Sequence, residues 1–292
     1  MRSPLPAAFL ALVAVLLAGC QSSKTTGFAY NNPTTLTIAA PTAPAPVYSA
    51  PPVYSAPPST AGAPQCSPVP QQPGMLAGRT LPVSRVSDIK LARGEVVLTF
   101  DDGPRPGTTP HILDTLDAAG VKATFMMVGQ MADAHPQLVR KVASRGHTIG
   151  SHSYDHANLK RMSRADALAE IGRGERAIAA ALSGTGHGLS PFFRFPYLAD
   201  TPGLRSAMAQ RGTVVIDVDI DSKDYLRTDG TTVMNRTLAE LRQRGRGIIL
   251  FHDIHPRTAS MLPGFLNALQ SEGFRVVRLV PGGATACGGR TS

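Results

Sequence analysis

From Thr25 to Ala77 the chain carries no Asp, Glu, Lys or Arg, and no acidic residue precedes Asp88. A stretch of this composition buries too little apolar surface to offset the entropy of ordering, which excludes it from a folded core. Twelve of the chain's 25 prolines fall between Pro33 and Pro73, and Val-Tyr-Ser-Ala-Pro-Pro occurs twice, at Val47 and Val53. Such proline spacing favours extended polyproline II. At ~3.1 Å per residue, fifty residues reach on the order of 150 Å, several times a bilayer's thickness. Residues 20–78 are therefore expected to be a disordered stalk, and residues 79–292 a folded domain.

The chain also has no apolar run long enough to span a bilayer. Ala7 to Leu17, behind Arg2, is short enough for a secretory signal, and Leu17-Ala18-Gly19-Cys20 closes it with small residues. These four residues resemble the lipobox of bacterial lipoproteins. The resemblance implies removal of residues 1–19, lipidation of Cys20 and a membrane tether. Gln21 after the cysteine favours the outer membrane, facing the periplasm. Only Cys66 and Cys287 then remain, and an oxidising compartment favours closing such a pair, so a Cys66–Cys287 disulfide is expected.

Setting aside Arg2 and Lys24 leaves 27 basic residues against 20 acidic ones, an excess of about +7 in the folded domain. This charge suits an anionic neighbour such as a cell-wall polymer or a lipid headgroup. It is not gathered into a basic stripe with aromatics, which together with export excludes nucleic acid as a partner. The domain is expected to act as a monomer.

Residues 79–292 lack a hairpin signal and a Gly-rich phosphate loop after the first strand. Instead, short apolar strands at 95–100, 122–129, 148–152, 192–196, 213–219, 247–252 and 274–280 alternate with helical patterns. The helices run over roughly 108–119, 134–145, 163–182, 202–211, 231–244 and 258–272. Ser163 with Asp166 reads as a helix entry, and Gly146 as a helix end. This alternation implies an α/β fold with a parallel sheet, closed as a barrel or open and doubly wound. Active residues then gather at the strands' C-terminal ends.

Five polar clusters sit at those ends. Thr99-Phe100-Asp101-Asp102-Gly103-Pro104 presents two adjacent carboxylates, costly unless cationic partners meet them. His152 and His156, spaced i and i+4, are a metal-ligand pair in type and spacing. Arg194 in Phe192-Phe193-Arg194-Phe195-Pro196-Tyr197 is expensive to bury without a carboxylate, although strand alternation permits it to face outward. Pro196 breaks that strand and frees the Tyr197 backbone N–H from the sheet. Asp217, Asp219, Asp221 and Asp224 crowd the fifth strand and its end, and His252 follows the apolar run of the sixth.

In this order the clusters resemble the five motifs of polysaccharide deacetylases with the NodB homology domain, carbohydrate esterase family 4, over roughly residues 90–281. The matches are Thr99–Gly103, His152–His156, Arg194–Tyr197, Asp221–Tyr225 and Leu250–His252, with Tyr225 where the family usually has Trp. The resemblance implies a distorted (β/α)7 barrel and hydrolysis of acetyl groups from an acetylated glycan. It implies that Asp102, His152 and His156 hold a divalent metal, zinc before cobalt or nickel. Asp101 is then the general base, oriented by Arg194, and His252 the general acid, tuned by Asp221. The Tyr197 backbone N–H stabilises the oxyanion. Asp224 has a supporting role, and Pro196, Tyr225 and Leu250 line the substrate pocket. Asp253 and His255 fall outside the motifs. Peptidoglycan and chitin-like oligomers both suit as N-acetylated substrates. An O-acetyl esterase of xylan type is the nearer alternative, and a non-catalytic glycan-binding lipoprotein the further one.

Overall fold

The computed structural model describes residues 75–283. The expected signal, the expected lipidation at Cys20, most of the expected stalk and the expected Cys66–Cys287 disulfide lie outside the described residues. Within them every expected strand is present and two more are added. Strands β1 (Ala77–Val83), β2 (Glu95–Asp101), β3 (Thr124–Met127), β4 (Thr148–Ser151), β5 (Phe192–Phe193), β6 (Val214–Val215), β7 (Ile220–Asp221), β8 (Gly247–His252) and β9 (Arg275–Pro281) are joined wholly in parallel. The helices are α1 (Thr109–Ala118), α2 (Gly129–Ala134), α3 (Pro136–Ser144), α4 (Arg164–Leu182), α5 (Pro202–Gln210), α6 (Gly230–Arg244) and α7 (Pro256–Ser271).

The boundary expected at residue 79 falls inside β1, so the folded part begins earlier. Gly78 and Pro82 hide this strand from a propensity reading, and Pro is tolerated because β1 lies at the sheet edge, paired with β9 alone. The strand expected over 213–219 is broken instead, because the chain leaves β5 after Ile216, whose N–H bonds the Phe193 carbonyl, and rejoins the sheet beside β8, where the Asp219 N–H bonds the Ile248 carbonyl at 3.0 Å. The Asp217 side chain pairs with Arg205, and Asp219 Oδ2 accepts the Ile248 N–H at 2.8 Å. Pairing resumes at Ile220. The helix expected over 134–145 is α3, and a further short helix, α2, precedes it, the two separated at His135 (φ −135°), the residue before Pro136. Ser163 caps α4 as expected, accepting the Asp166 N–H at 3.1 Å. Gly146, just past α3, has φ +75°.

Strands β7-β8-β2-β3-β4-β5-β6 form a distorted (β/α)7 barrel, left open between β6 and β7 among the described pairings. Strand β9 pairs Glu95 and Val96 at the start of β2, before β3 begins, and carries β1 on its other side. Both faces of the sheet are buried, so its strands read as continuous apolar runs. Alternation separates two cores. Val96, Leu98, Phe100, Phe125, Ile249 and Phe251 face the helices, while Val97, Met126, Phe192, Val214 and Ile248 fill the interior. In the outer layer Phe100 stacks between Phe125 and Phe251 at centroid separations of 5.2 and 5.8 Å, and Phe251 meets Phe265 of α7 at 5.3 Å.

Phe100→Ala removes the middle ring of this stack from a fully buried position. It is expected to cost about 3–5 kcal/mol, read as a lowered denaturant midpoint with an unchanged slope.

Candidate active site

The alternation that sends Phe100 outward sends Thr99 and Asp101 into the barrel. On the neighbouring strand it does the same for Leu250 and His252. Asp101 and His252 occupy one rung of the β2–β8 pair, so their side chains emerge side by side at the C-terminal rim. On β5, Phe193 and Phe195 pack outward, and Arg194 points inward with 1% exposure.

Arg194 is fully engaged there. Its Nη1 donates to Asp101 Oδ1 at 2.7 Å and Thr99 Oγ1 at 2.8 Å. Its Nε donates to the Ile216 carbonyl at 3.0 Å, and its Nη2 to the Asp217 carbonyl at 3.4 Å. Asp101 is 2% exposed and is paired through one oxygen, while its Oδ2 lies 3.7 Å from His152 Nε2.

Asp102 escapes the strand by adopting φ +75°, which turns its carboxylate to the side of Asp101. Its Oδ1 lies 3.5 Å from His152 Nε2 and 3.3 Å from His156 Nε2. His152 Nδ1 is 2.8 Å from the Arg194 carbonyl, an atom that only accepts, so Nδ1 carries the proton and Nε2 the lone pair. Asp102 Oδ1 is buried without a hydrogen-bond donor. The ligand atoms of Asp102, His152 and His156 lie within 4.8 Å of one another. Acceptors converging on one point without a proton between them fit a cation, and two imidazoles with one carboxylate suit zinc and its neighbours. Burial, reinforced by the neighbouring His152, holds His156 below the ordinary imidazole range, favouring the neutral form a ligand needs.

The loop carrying the histidines is strained and clamped. Ser153 and His156 have φ +66° and +61°. One carboxylate oxygen of Glu170 on α4 accepts the Tyr154 and Asp155 N–H groups at 2.8 and 2.7 Å. The start of α2 holds the other edge, where the Gly129 and Gln130 N–H groups donate to the Ser153 and Tyr154 carbonyls. Gly174 lets α4 press against this loop, since a Cβ there would lie 2.3 Å from the Ser153 carbonyl oxygen.

On the opposite side, His252 Nδ1 bonds Asp224 Oδ1 at 2.6 Å. Asp224 Oδ2 accepts the His252 N–H at 2.8 Å and the Thr258 hydroxyl at 2.6 Å. This corrects the expected pairing of His252 with Asp221. Lys223, at φ +52°, turns the chain so that Asp224 reaches inward, while Asp221 stays at the rim, bonded to the Lys223 N–H and the Tyr225 hydroxyl. Burial works against the charge on His252, but the Asp224 hydrogen bond and the charges of Asp224, Asp101 and Asp102 lift its pKa to about 9. Asp224, His252 and His255 form a second group of possible ligands, yet both Asp224 oxygens are already satisfied, so it is an ion pair and not a metal set.

These groups line a cavity of ≈ 480 Å³. Tyr225 and Leu250 line it as expected, and Tyr197 does so too. Pro196 does not: it is buried, and Phe195 and Leu198 take that part of the wall. His255 and Ile254 also line it, although His255 falls outside the five motifs; only their position just past a strand's C-terminal end signals this. Tyr197 (φ +59°) and Leu198 (φ +51°) are both left-handed. The Leu198 and Ala199 N–H groups bond back to Phe195 and Pro196, leaving the Tyr197 N–H without an intramolecular acceptor among the described residues. Asp253 is buried beneath the rim, held by the Thr109 hydroxyl at 2.6 Å and packed on Gly103, and burial pushes its carboxyl up to about 7. A larger groove of ≈ 960 Å³ between α1 and α7 brings together no comparable set of ligands or acid–base pairs.

A family model described as polysaccharide deacetylase matches residues 88–216. The chain is 33% identical over 204 residues to the peptidoglycan-N-acetylglucosamine deacetylase PgdA of Listeria monocytogenes, covering 69% of this chain and 42% of that relative's length. It is 32% identical over 215 residues to a chitin deacetylase of Colletotrichum lindemuthianum, covering 69% of this chain and 84% of that one. A solved structure of a peptidoglycan deacetylase from Bdellovibrio bacteriovorus superposes with a TM-score of 0.61 at 33% identity, covering 72% of this chain and 57% of that one.

Two outcomes test this geometry. Gly174→Ala is expected to destabilise the fold by about 1–3 kcal/mol and to weaken zinc binding about tenfold, read by calorimetric titration. Asp224→Asn removes the main support of the His252 charge. A cation held beside Asp102 would offset the Asp101 and Asp102 contributions but not that of Asp224. The alkaline limb of turnover, where His252 loses its proton, should therefore move to lower pH by about one unit.

Proposed function

The chain belongs to the polysaccharide deacetylase family, and we propose that it is a metal-dependent enzyme that hydrolyses N-acetyl groups of an envelope glycan. One observation carries this reading. A base paired to arginine and an acid paired to carboxylate flank a single converging set of two imidazoles and a carboxylate. A non-catalytic binder has no use for the two proton-handling pairs.

Asp102, His152 and His156 would hold the cation, which when bound makes water more acidic and polarises the acetyl carbonyl. Asp101 Oδ2 takes a proton from the attacking water, while Arg194 fixes the carboxylate through Oδ1. The water oxygen bonds to the carbonyl carbon, and the Tyr197 N–H receives the charge that develops on the carbonyl oxygen. His252 Nε2–H then donates to the leaving nitrogen, the C–N bond breaks, and acetate and a free amine result. An amine is a poor leaving group without that proton, so an acid whose charge is supported by the Asp224 hydrogen bond favours an N-acetyl over an O-acetyl substrate.

Zinc is the metal that this donor set favours. The basic excess of the domain supports an anionic glycan such as peptidoglycan, with chitin-like oligomers as the simplest soluble substitute. In the same reading the protein works as a monomer tethered by lipid at Cys20. The Pro-rich stalk carries the domain away from the outer membrane into the periplasm.

Asp102→Ala is expected to abolish both zinc binding and acetate release from chitotetraose. Asp101→Asn should keep zinc and lose at least about 10³-fold in kcat. Near-normal turnover in Asp101→Asn would refute the base assignment.

A further inference from the structure

Asp221 is left without work once Asp224 is known to hold His252, and Tyr225 only lines the cavity. They are nonetheless bonded to each other. The Tyr225 hydroxyl donates to Asp221 Oδ2 at 3.0 Å, and Asp221 Oδ1 accepts the Lys223 N–H at 2.9 Å. The Tyr225 ring stands edge-on to His252, with centroids 5.7 Å apart and planes at 89°. It is 49% exposed, a large ring at the cavity mouth with little packing to hold it.

The turn itself does not need this bond. Arg236 Nε donates to the Ser222 carbonyl at 3.0 Å, Arg257 donates to the Leu226 carbonyl, and Asp224 is anchored to His252 and Thr258. What the Asp221 carboxylate adds is a fixed direction for the phenol. An exposed tyrosine otherwise samples several rotamers, and each would give the cavity a different wall. A tryptophan, usual in the family at this place, also has one N–H donor to offer the same carboxylate, whereas phenylalanine has none.

We propose that Asp221 is a positioning residue that holds the Tyr225 ring upright against His252, and that this pair sets the fit of the acetylated sugar without tuning the acid. The substrate class rests on the deacetylase reading above; the pairing rests on the geometry alone. The two tyrosines at the mouth then have separate tasks. Tyr197 contributes its backbone N–H, and Tyr225 a ring wall whose angle is fixed by Asp221.

The test uses the zinc-loaded protein with chitotetraose. Tyr225→Phe and Asp221→Ala are each expected to raise KM about fivefold, with kcat changed less than KM. The double variant should be no worse than Asp221→Ala alone, because Asp221→Ala already removes the Tyr225 bond together with the Lys223 N–H bond. Tyr225→Trp restores a donor and is expected to return KM to within about twofold of the parent. The alkaline limb that Asp224→Asn displaces should stay in place in all four. A KM unchanged in Tyr225→Phe, an additive double variant, or a limb displaced by Asp221→Ala would each overturn the proposal. Proton NMR of the His252 ring supplies a readout that needs no turnover, since releasing Tyr225 in Asp221→Ala changes the ring current that His252 feels. If the parent releases no acetate, the deacetylase reading fails, and the NMR comparison still decides the pair: an unmoved His252 signal refutes it.

Discussion

A guanidinium enclosed in a barrel must find partners for nearly all its protons, and Arg194 finds them on two stretches of chain. It grips Asp101 and Thr99 on β2, and through the Ile216 and Asp217 carbonyls it reaches the stretch where β6 and β7 fail to pair. Its own carbonyl accepts a hydrogen bond from the His152 Nδ1–H. One residue therefore fixes the base with its side chain and a metal ligand with its main chain. Lysine could not replace it, because a point charge cannot distribute donors over a carboxylate, a hydroxyl and two carbonyls in one plane. Desolvating this pair is costly, and the bonds that offset the cost are the ones that align the site. Either partner alone would leave an unpaired buried charge, which is why the interior polar cluster stands or falls together.

The clusters at the strand ends were legible because parallel strands deliver them by rule. Period-two alternation places Asp101 with Val97, and His252 with Ile248, on the interior face, and the register puts the two on one rung. Arg194 was ambiguous from the sequence, since alternation allows either face. Phe193 and Phe195 resolve it by packing outward. The partner of His252 was not legible. Asp221 and Asp224 are three residues apart, and which one reaches inward depends on the left-handed turn at Lys223, a conformation that lysine does not announce. Pro196 failed for a similar reason: two consecutive left-handed residues after it lift Tyr197 and Leu198 to the cavity and leave the proline beneath. The edge strand β1 was hidden by its glycine and proline, and β7 by the acids before it. Each miss concerns a place where backbone geometry departs from what side-chain chemistry alone would favour.

Those departures are concentrated at the rim. Asp102, Ser153, His156, Tyr197, Leu198 and Lys223 are all non-glycine residues at positive φ, and all six lie in or beside the site. Such conformations cost about 1–3 kcal/mol each and persist only where surroundings enforce them. The surroundings here are visible: Glu170 and Gly174 press on the histidine loop, Arg236 holds the Ser222 carbonyl, and Asp253 packs on Gly103. The outer phenylalanine layer supplies the stability against which this strain is held.

The adjacent carboxylates show what the strain accomplishes. Two aspartates continuing one strand would point to opposite faces, one into the barrel and one into the helix layer, where an unpaired charge is prohibitive. The left-handed turn at Asp102 brings both to the same side. Only the first then remains in register with His252 and under Arg194; the second is displaced towards His152 and His156. The asymmetry follows from where the strand ends. A residue in the ladder has its carboxylate fixed, with one oxygen bonded and the other exposed to the cavity, as a base requires. A residue just past the ladder can approach two imidazoles from another strand's loop, as a ligand requires. One peptide unit separates the two roles, and the change in φ across it is what makes them different.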